Sequence, residues 1–210
     1  MSKLEEIKSF LQQGRAKNVK ALAQELLDEG TPATTILEDG LLAGMNIIGE
    51  KFKNGEAYIP EVLIAARAMN AGMEVLKPAL ADSDAKAKGK AVVGTVKGDL
   101  HDIGKNIVKI MFEGKGIEVI DLGVDVSPEA FVDTAVKEGA GIIGCSALLT
   151  TTMPVMKDVV KCAEDKGVRD KIKIMIGGAP ITDEYCKAIG ADAYTPDAAS
   201  AAEKAIELLA

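Results

Sequence analysis

The chain has 210 residues, 48% of them hydrophobic and 27% charged, enough for a substantial core in one or two domains. A formal charge of −7 repels phosphate backbones and argues against nucleic acid as a partner. There is a single histidine, His101, which excludes multi-histidine metal sites. Residues 1–80 carry helix periodicity and helix punctuation, with no strand pattern. Leu4, Ile7, Phe10 and Leu11 make one short apolar face, and Val19, Leu22, Ala23, Leu26 and Leu27 a second that ends at Gly30. Thr31-Pro32 opens a third helix carrying Ile36, Leu37, Leu41, Met45, Ile48 and Phe52, expected to stop near Asn54-Gly55, where glycine takes the left-handed cap. Pro60 opens a fourth helix with Val62, Leu63, Ala66, Met69, Met73 and Leu76, expected to end before Pro78. Four amphipathic helices with short connections predict a four-helix bundle.

Residues 81–89 are small and charged and read as a linker between a helical domain, 1–80, and a second domain, 90–210. From residue 90 the pattern alternates between strand and helix. Strands are expected at 91–96, 118–122, 141–146, 172–176 and 193–194, and helices at 103–115, 128–138, 153–166, 182–189 and 198–209. The strands are apolar along their length, as in a parallel sheet covered on both faces. The fold class is therefore α/β: a helical bundle followed by a flavodoxin-like (Rossmann-like), doubly wound, five-stranded parallel domain. Its ligand crevice is expected at the carboxyl ends of the strands.

No apolar run reaches the length of a membrane span, and the N-terminus lacks the charged-then-apolar pattern of a signal peptide. Cys145, Cys162 and Cys186 are odd in number, widely spaced and without a C-x-x-C pair. The expectation is a cytoplasmic protein with ordinary thiols.

The chemistry concentrates directly after the first of these strands, in Gly98-Asp99-Leu100-His101-Asp102-Ile103-Gly104. This is neither a phosphate loop nor a G-x-G-x-x-G fingerprint. It places the lone histidine on the ligand edge with Asp99 two residues earlier. A metal-ligating imidazole commonly donates its other N–H to a carboxylate, which fixes the tautomer and raises basicity. Gly104 leaves room beside the loop. Lys105 and Lys109, on the helix that follows, read as solvated.

Asp99-x-His101-x-x-Gly104, with Ser146-x-Leu148 after the third strand and Gly177-Gly178 after the fourth, resembles the three-part signature of cobalamin-binding domains. Met45–Phe52 and Gly55–Pro60 are similar to the helical cap of methionine synthase and of methyltransferase corrinoid proteins, so the resemblance spans essentially the whole chain. It implies cobalamin or a related corrinoid as cofactor, with His101 as the lower axial ligand of cobalt and Asp99 and Thr152 extending a relay behind it. It further implies that Gly98, Leu100, Asp102 and Gly104 line the corrin edge. Ser146, Leu148, Thr150, Gly177, Gly178 and Ala198 would meet the nucleotide tail, and Phe52 and Ile59 would cover the upper face of cobalt. By their residue types alone, Phe52 and Ile59 read equally as bundle core, and Ser146 and Thr150 as caps of the next helix.

The function implied is a methyl carrier: Co(I) takes a methyl group from a donor on one methyltransferase, and methyl-Co(III) delivers it to an acceptor on a second. The expected partners are a substrate-specific methyltransferase, an acceptor methyltransferase and a reductive activator, with no nucleic acid and no membrane. The chain would be a component of a methyltransferase system rather than a free-standing catalyst. Two alternatives are the cobalamin-binding subunit of an adenosylcobalamin-dependent mutase and a cobalamin-sensing regulator.

Overall fold

The computed structural model describes residues 2–81 and 87–210. The chain divides into two compact units, Met1–Lys86 and Ala87–Ala210.

The first unit is helical. α1 (Lys3–Gln12) starts on Ser2, whose hydroxyl accepts the Glu5 N–H, and buries Ile7 and Leu11. α2 (Ala16–Asp28) buries Val19, Ala23 and Leu26, the apolar stripe seen in the sequence. α3 (Ala33–Thr35) runs through a π-helical turn, Ile36–Leu42, into α4 (Ala43–Lys53), so the expected third helix is helical throughout but locally widened. Gly40 and Gly44 lie one turn apart on this stretch. A Cβ at Gly40 would sit 3.3 Å from Ile7 and one at Gly44 3.2 Å from the Lys8 backbone, so glycine lets α1 pack closely. α5 (Ile59–Ala81) corrects the expected stop before Pro78, because the proline lies inside the helix. In the last turn it forfeits one backbone bond, a small loss for a 23-residue helix.

The second unit is the expected parallel α/β sheet. β1 (Lys90–Thr95), β2 (Glu118–Asp121), β3 (Ile142–Ser146), β4 (Lys173–Gly177) and β5 (Ala193–Tyr194) are ordered β2-β1-β3-β4-β5. The helices are α6 (Ile103–Gly114), α7 (Pro128–Glu138), α8 (Pro154–Asp165), α9 (Asp183–Ile189) and α10 (Ala198–Leu209). Ser127, Thr182 and Asp197 cap α7, α9 and α10 through their side chains. Ile143, Ile174, Phe131, Met156 and Val159 form a fully buried core. Of the expected linker, residues 82–86 lie outside the described residues. Lys88 and Gly89 already bond to the sheet unit, through Gly116 O and Glu118 N at 3.0 and 2.9 Å.

This order makes the gap between β1 and β3 the topological switch point, where successive connections leave in opposite directions. The register pairs Thr95 with Ser146 and Ser146 with Gly177, which brings the carboxyl ends of β1, β3 and β4 level. The expected glycine pair is therefore split, Gly177 closing β4 and Gly178 opening the loop.

Candidate functional site

The β1–α6 loop is a tight turn closed by the Asp99 N–H on the Val96 carbonyl at 3.1 Å. Gly98 takes φ +84 within it, a conformation open to glycine and strained for other residues. The turn points Asp99 down into the switch point, where it is fully buried. One carboxylate oxygen, Oδ1, accepts the His101 backbone N–H at 3.1 Å and lies 2.6 Å from His101 Nδ1. The other, Oδ2, accepts from the β3–α8 loop: Leu148 N–H at 2.8 Å, Leu149 N–H at 3.2 Å and the Thr152 hydroxyl at 2.8 Å. The Thr152 hydroxyl is also 2.9 Å from the Leu149 carbonyl; its single proton goes to the charged acceptor, the stronger of the two.

Burial alone would raise the Asp99 pKa. The hydrogen bonds from His101, Leu148 and Thr152 outweigh it and hold the carboxyl well below the usual carboxylate range. An ionised carboxylate only accepts, so Nδ1 of His101 carries the proton facing it. Of the two neutral tautomers, this one keeps the lone pair on Nε2. The side chain of His101 is 52% exposed, and its carbonyl is tied back by the buried Thr95 hydroxyl at 2.9 Å. The arrangement is a donor nitrogen of fixed tautomer, offered outward from a rigid base.

Around it the surface is unusually apolar. Leu100 is 71% exposed and Ile103 66%, flanking His101, and Leu148 and Leu149 are exposed on the facing loop. Gly104 and Gly177 have no atom within 4 Å of where a Cβ would stand, so each borders open space. Gly178 differs: with φ +137, a Cβ there would overlap the Ala147 carbonyl oxygen, so contact between the β3 and β4 loops demands glycine at that position.

The structure thus brings together Gly98, Asp99, His101, Leu148 and Thr152. Asp102 precedes α6 without a side-chain cap bond and accepts from Asn106 Nδ2 at 3.1 Å. Ser146 ends β3 and Thr150 is exposed in the loop beyond; neither caps α8, whose N-cap position is Met153. Ala198 opens α10 and is buried. Phe52, half-buried on α4, and Ile59, 38% exposed at the start of α5, belong to the helical unit.

Three features were not anticipated. Lys105 is buried, not solvated: its Nζ lies 2.6 Å from Asp121 Oδ1 and 2.7 Å from Asn106 Oδ1. Burial pushes the Asp121 pKa up, and Lys105, the Gly123 N–H and Lys109 together bring it below its ordinary value. Asp125, in the loop after β2, contacts the His101 loop, and Tyr185 on α9 donates to the Met153 carbonyl at 2.7 Å, next to Thr152. A Lys one turn into a helix that follows a ligand loop, and an Asp two residues after a strand-ending glycine, were the available signals. Burial pushes the Cys145 thiol up, away from nucleophilic chemistry. Among the described residues, no group of three or more His, Cys, Asp or Glu side chains could hold a metal ion, and no helix is long and apolar enough to cross a membrane.

A B12 binding domain matches residues 89–206, and a second B12 binding domain matches residues 3–77. The chain is 41% identical to a corrinoid protein of Desulfitobacterium hafniense (strain Y51), covering 100% of this chain and 98% of that one. It is 48% identical to dimethylamine corrinoid protein 1 of Methanosarcina acetivorans, over 83% of each. A chain in the crystal structure of the methanol:cobalamin methyltransferase complex from Methanosarcina barkeri matches with a TM-score of 0.90 and 29% identity, covering 99% of this chain and 79% of that one.

Proposed function

The chain belongs to the corrinoid proteins built from B12-binding domains, and from that premise we propose that it is a methyl carrier whose His101 is the lower axial ligand of a bound corrinoid. When bound, the corrinoid supplies a cobalt centre able to accept a methyl group and give it up again. The protein residues supply position and electronic tuning.

The observation that carries this reading is the outward-facing His101 ring, held through Nδ1 by buried Asp99. A corrin brings four equatorial nitrogens of its own, so one imidazole suffices. That suits a chain with a single histidine. The exposed Leu100 and Ile103 and the open space at Gly104 suit a large apolar macrocycle edge, and the open space at Gly177 suits a bulky tail.

In this reading Asp99 keeps Nδ1 protonated and Nε2 basic, and Thr152 steadies the carboxylate. Asp99, backed by Thr152, would hold the proton at His101 Nδ1 and balance a change of charge on the imidazole. Gly98, Leu100 and Asp102 border the ring edge. Ser146, Leu148, Thr150, Gly177, Gly178 and Ala198 would contribute further contacts from the sheet unit, and Phe52 and Ile59 would be the helical unit's contacts with the cofactor. The partners are a methyltransferase that delivers the methyl group, an acceptor methyltransferase and a reductive activator, in a cytoplasmic setting. Similarity to dimethylamine corrinoid protein 1 and to a chain of the methanol:cobalamin methyltransferase complex supports the first of these.

The test is the absorption spectrum of protein reconstituted with hydroxocobalamin, for wild type and His101→Ala. The expected result is a wild-type spectrum with an axial imidazole and a shifted spectrum in the variant. Stoichiometric binding with identical spectra would refute axial ligation.

A further inference from the structure

Asp125 is the one non-glycine residue with positive φ among the described residues, at φ +55. Asp tolerates that conformation only at a steric cost that glycine would avoid. An outlier maintained against its own sterics points to a job for the side chain. The surroundings identify it. Asp125 Oδ1 accepts the Gly98 N–H at 2.7 Å, and the Asp125 backbone N–H donates to the Asp99 carbonyl at 3.1 Å. One residue of the β2–α7 loop thereby grips two consecutive residues of the turn that carries Asp99 and, two positions on, His101.

The grip is anchored. Val126 N–H donates to Thr95 O at 3.0 Å and Thr95 N–H to Gly123 O at 2.9 Å, so the segment on either side of Asp125 is zipped to the end of β1. Val96 and Val126 continue the parallel pairing. Thr95 is also the residue whose hydroxyl holds the His101 carbonyl. Asp99 meets its Oδ2 donors on the β3–α8 loop, so the turn is clamped from both neighbouring loops, by Asp125 on one side and by Leu148, Leu149 and Thr152 on the other.

We propose that Asp125 is a positioning residue for the axial ligand: its carboxylate oxygen and its N–H fix Gly98 and Asp99, and through them the direction in which the His101 imidazole is presented. The role rests on the reading of His101 as the cobalt ligand. Asp125 touches neither the ring nor the metal, and it acts as a hydrogen-bond acceptor in a left-handed backbone, not through its charge.

Three variants of the full-length protein separate these properties. Asp125→Asn keeps an acceptor oxygen and tolerates the backbone. Asp125→Gly keeps the backbone and removes the acceptor. Asp125→Ala removes the acceptor and strains the backbone. In corrinoid-free protein, the Gly98 amide is expected to exchange with solvent about tenfold faster in the Gly and Ala variants and at the wild-type rate in Asn. In protein grown with 15N-labelled histidine, loaded with hydroxocobalamin and reduced to Co(II), electron paramagnetic resonance reads a twofold splitting from an axial imidazole, distinct from the threefold splitting of the cofactor's own benzimidazole nitrogen. That splitting is expected intact in wild type and Asn, and broadened or partly lost in Gly and Ala. Wild-type exchange and splitting in Asp125→Gly overturn the proposal, as does an Asn variant that behaves like Ala. If wild type lacks the twofold splitting, the axial-ligand reading fails instead, and the Gly98 exchange rates alone decide whether Asp125 clamps the turn.

Discussion

Asp99 shows how much one buried carboxylate organises. Its two oxygens face two different loops, and every donor it meets is a backbone N–H, a hydroxyl or the His101 ring. Asp99→Asn keeps one acceptor toward His101 but turns an NH2 group toward Leu148, Leu149 and Thr152. The expected destabilisation is about 2 kcal/mol, read by chemical denaturation. Thr152→Val, nearly the same shape, removes one donor and is expected to cost about 1 kcal/mol. The adjacent glycines separate structural from ligand-driven demand. Gly178→Ala collides with the Ala147 carbonyl at a positive φ and is expected to destabilise by roughly 3 kcal/mol. Gly177→Ala meets no protein atom and is expected to stay within about 0.5 kcal/mol of wild type. It should nonetheless weaken corrinoid binding, measured by titration with hydroxocobalamin. Equal stability losses at the two positions would contradict this division.

At the scale of elements, α6 and β2 are joined by the buried ammonium of Lys105 and the partly exposed carboxylate of Asp121, beside the His101 loop. Asp121→Asn leaves the Lys105 ammonium without its anion and is expected to cost about 2 kcal/mol at neutral pH. The folded Asp121 pKa is depressed, so its contribution is present above the unfolded carboxylate pKa and is lost as pH falls through the folded value. The stability gap between wild type and variant is therefore widest at neutral pH and closes in acid, in thermal melts across pH. An undiminished gap in acid would mean that the side chain acts through packing. This pair also marks where sequence reading ran out. The strand–helix alternation was legible to within a residue or two because apolar runs and capping residues are local signals. The Asp99–His101 pairing was legible for the same reason, two residues apart on a predicted edge. Lys105 and Lys109 share the spacing of a solvated helix face, and only the tertiary position of Asp121, sixteen residues on from Lys105, takes one of them inside. Pro78 misled because a proline is a strong breaker mid-helix and a mild one in a final turn. Asp125 was invisible because its φ and its bond to Gly98 arise only when β1 and β2 pair.

For the molecule as a whole, the polar bonds described around His101 stay within one unit. Asp99, Thr152, Asp125, Lys105 and Asp121 all lie in Ala87–Ala210, which also has its own core around Ile143, Ile174 and Phe131. The helical unit has a separate core, with Ile7, Leu11, Ile36, Leu41 and Met45 fully buried, and carries Phe52 and Ile59. The proposed reading places His101 in the sheet unit and Phe52 and Ile59 in the helical unit, and that reading can be tested by cutting the two apart. A fragment of residues 87–210 is expected to unfold cooperatively by circular dichroism, because its sheet, caps and buried carboxylate network are complete without the rest. Loaded with hydroxocobalamin, it is expected to show the same axial-imidazole spectrum as the full chain and the same shift on His101→Ala. What it should lose is protection of the opposite face, read as faster exchange of the upper ligand for cyanide. A fragment that folds but binds corrinoid without the imidazole signature would show that presenting His101 requires the helical unit, and would move the determinant of ligation from the Asp99 network to the pairing of the two halves.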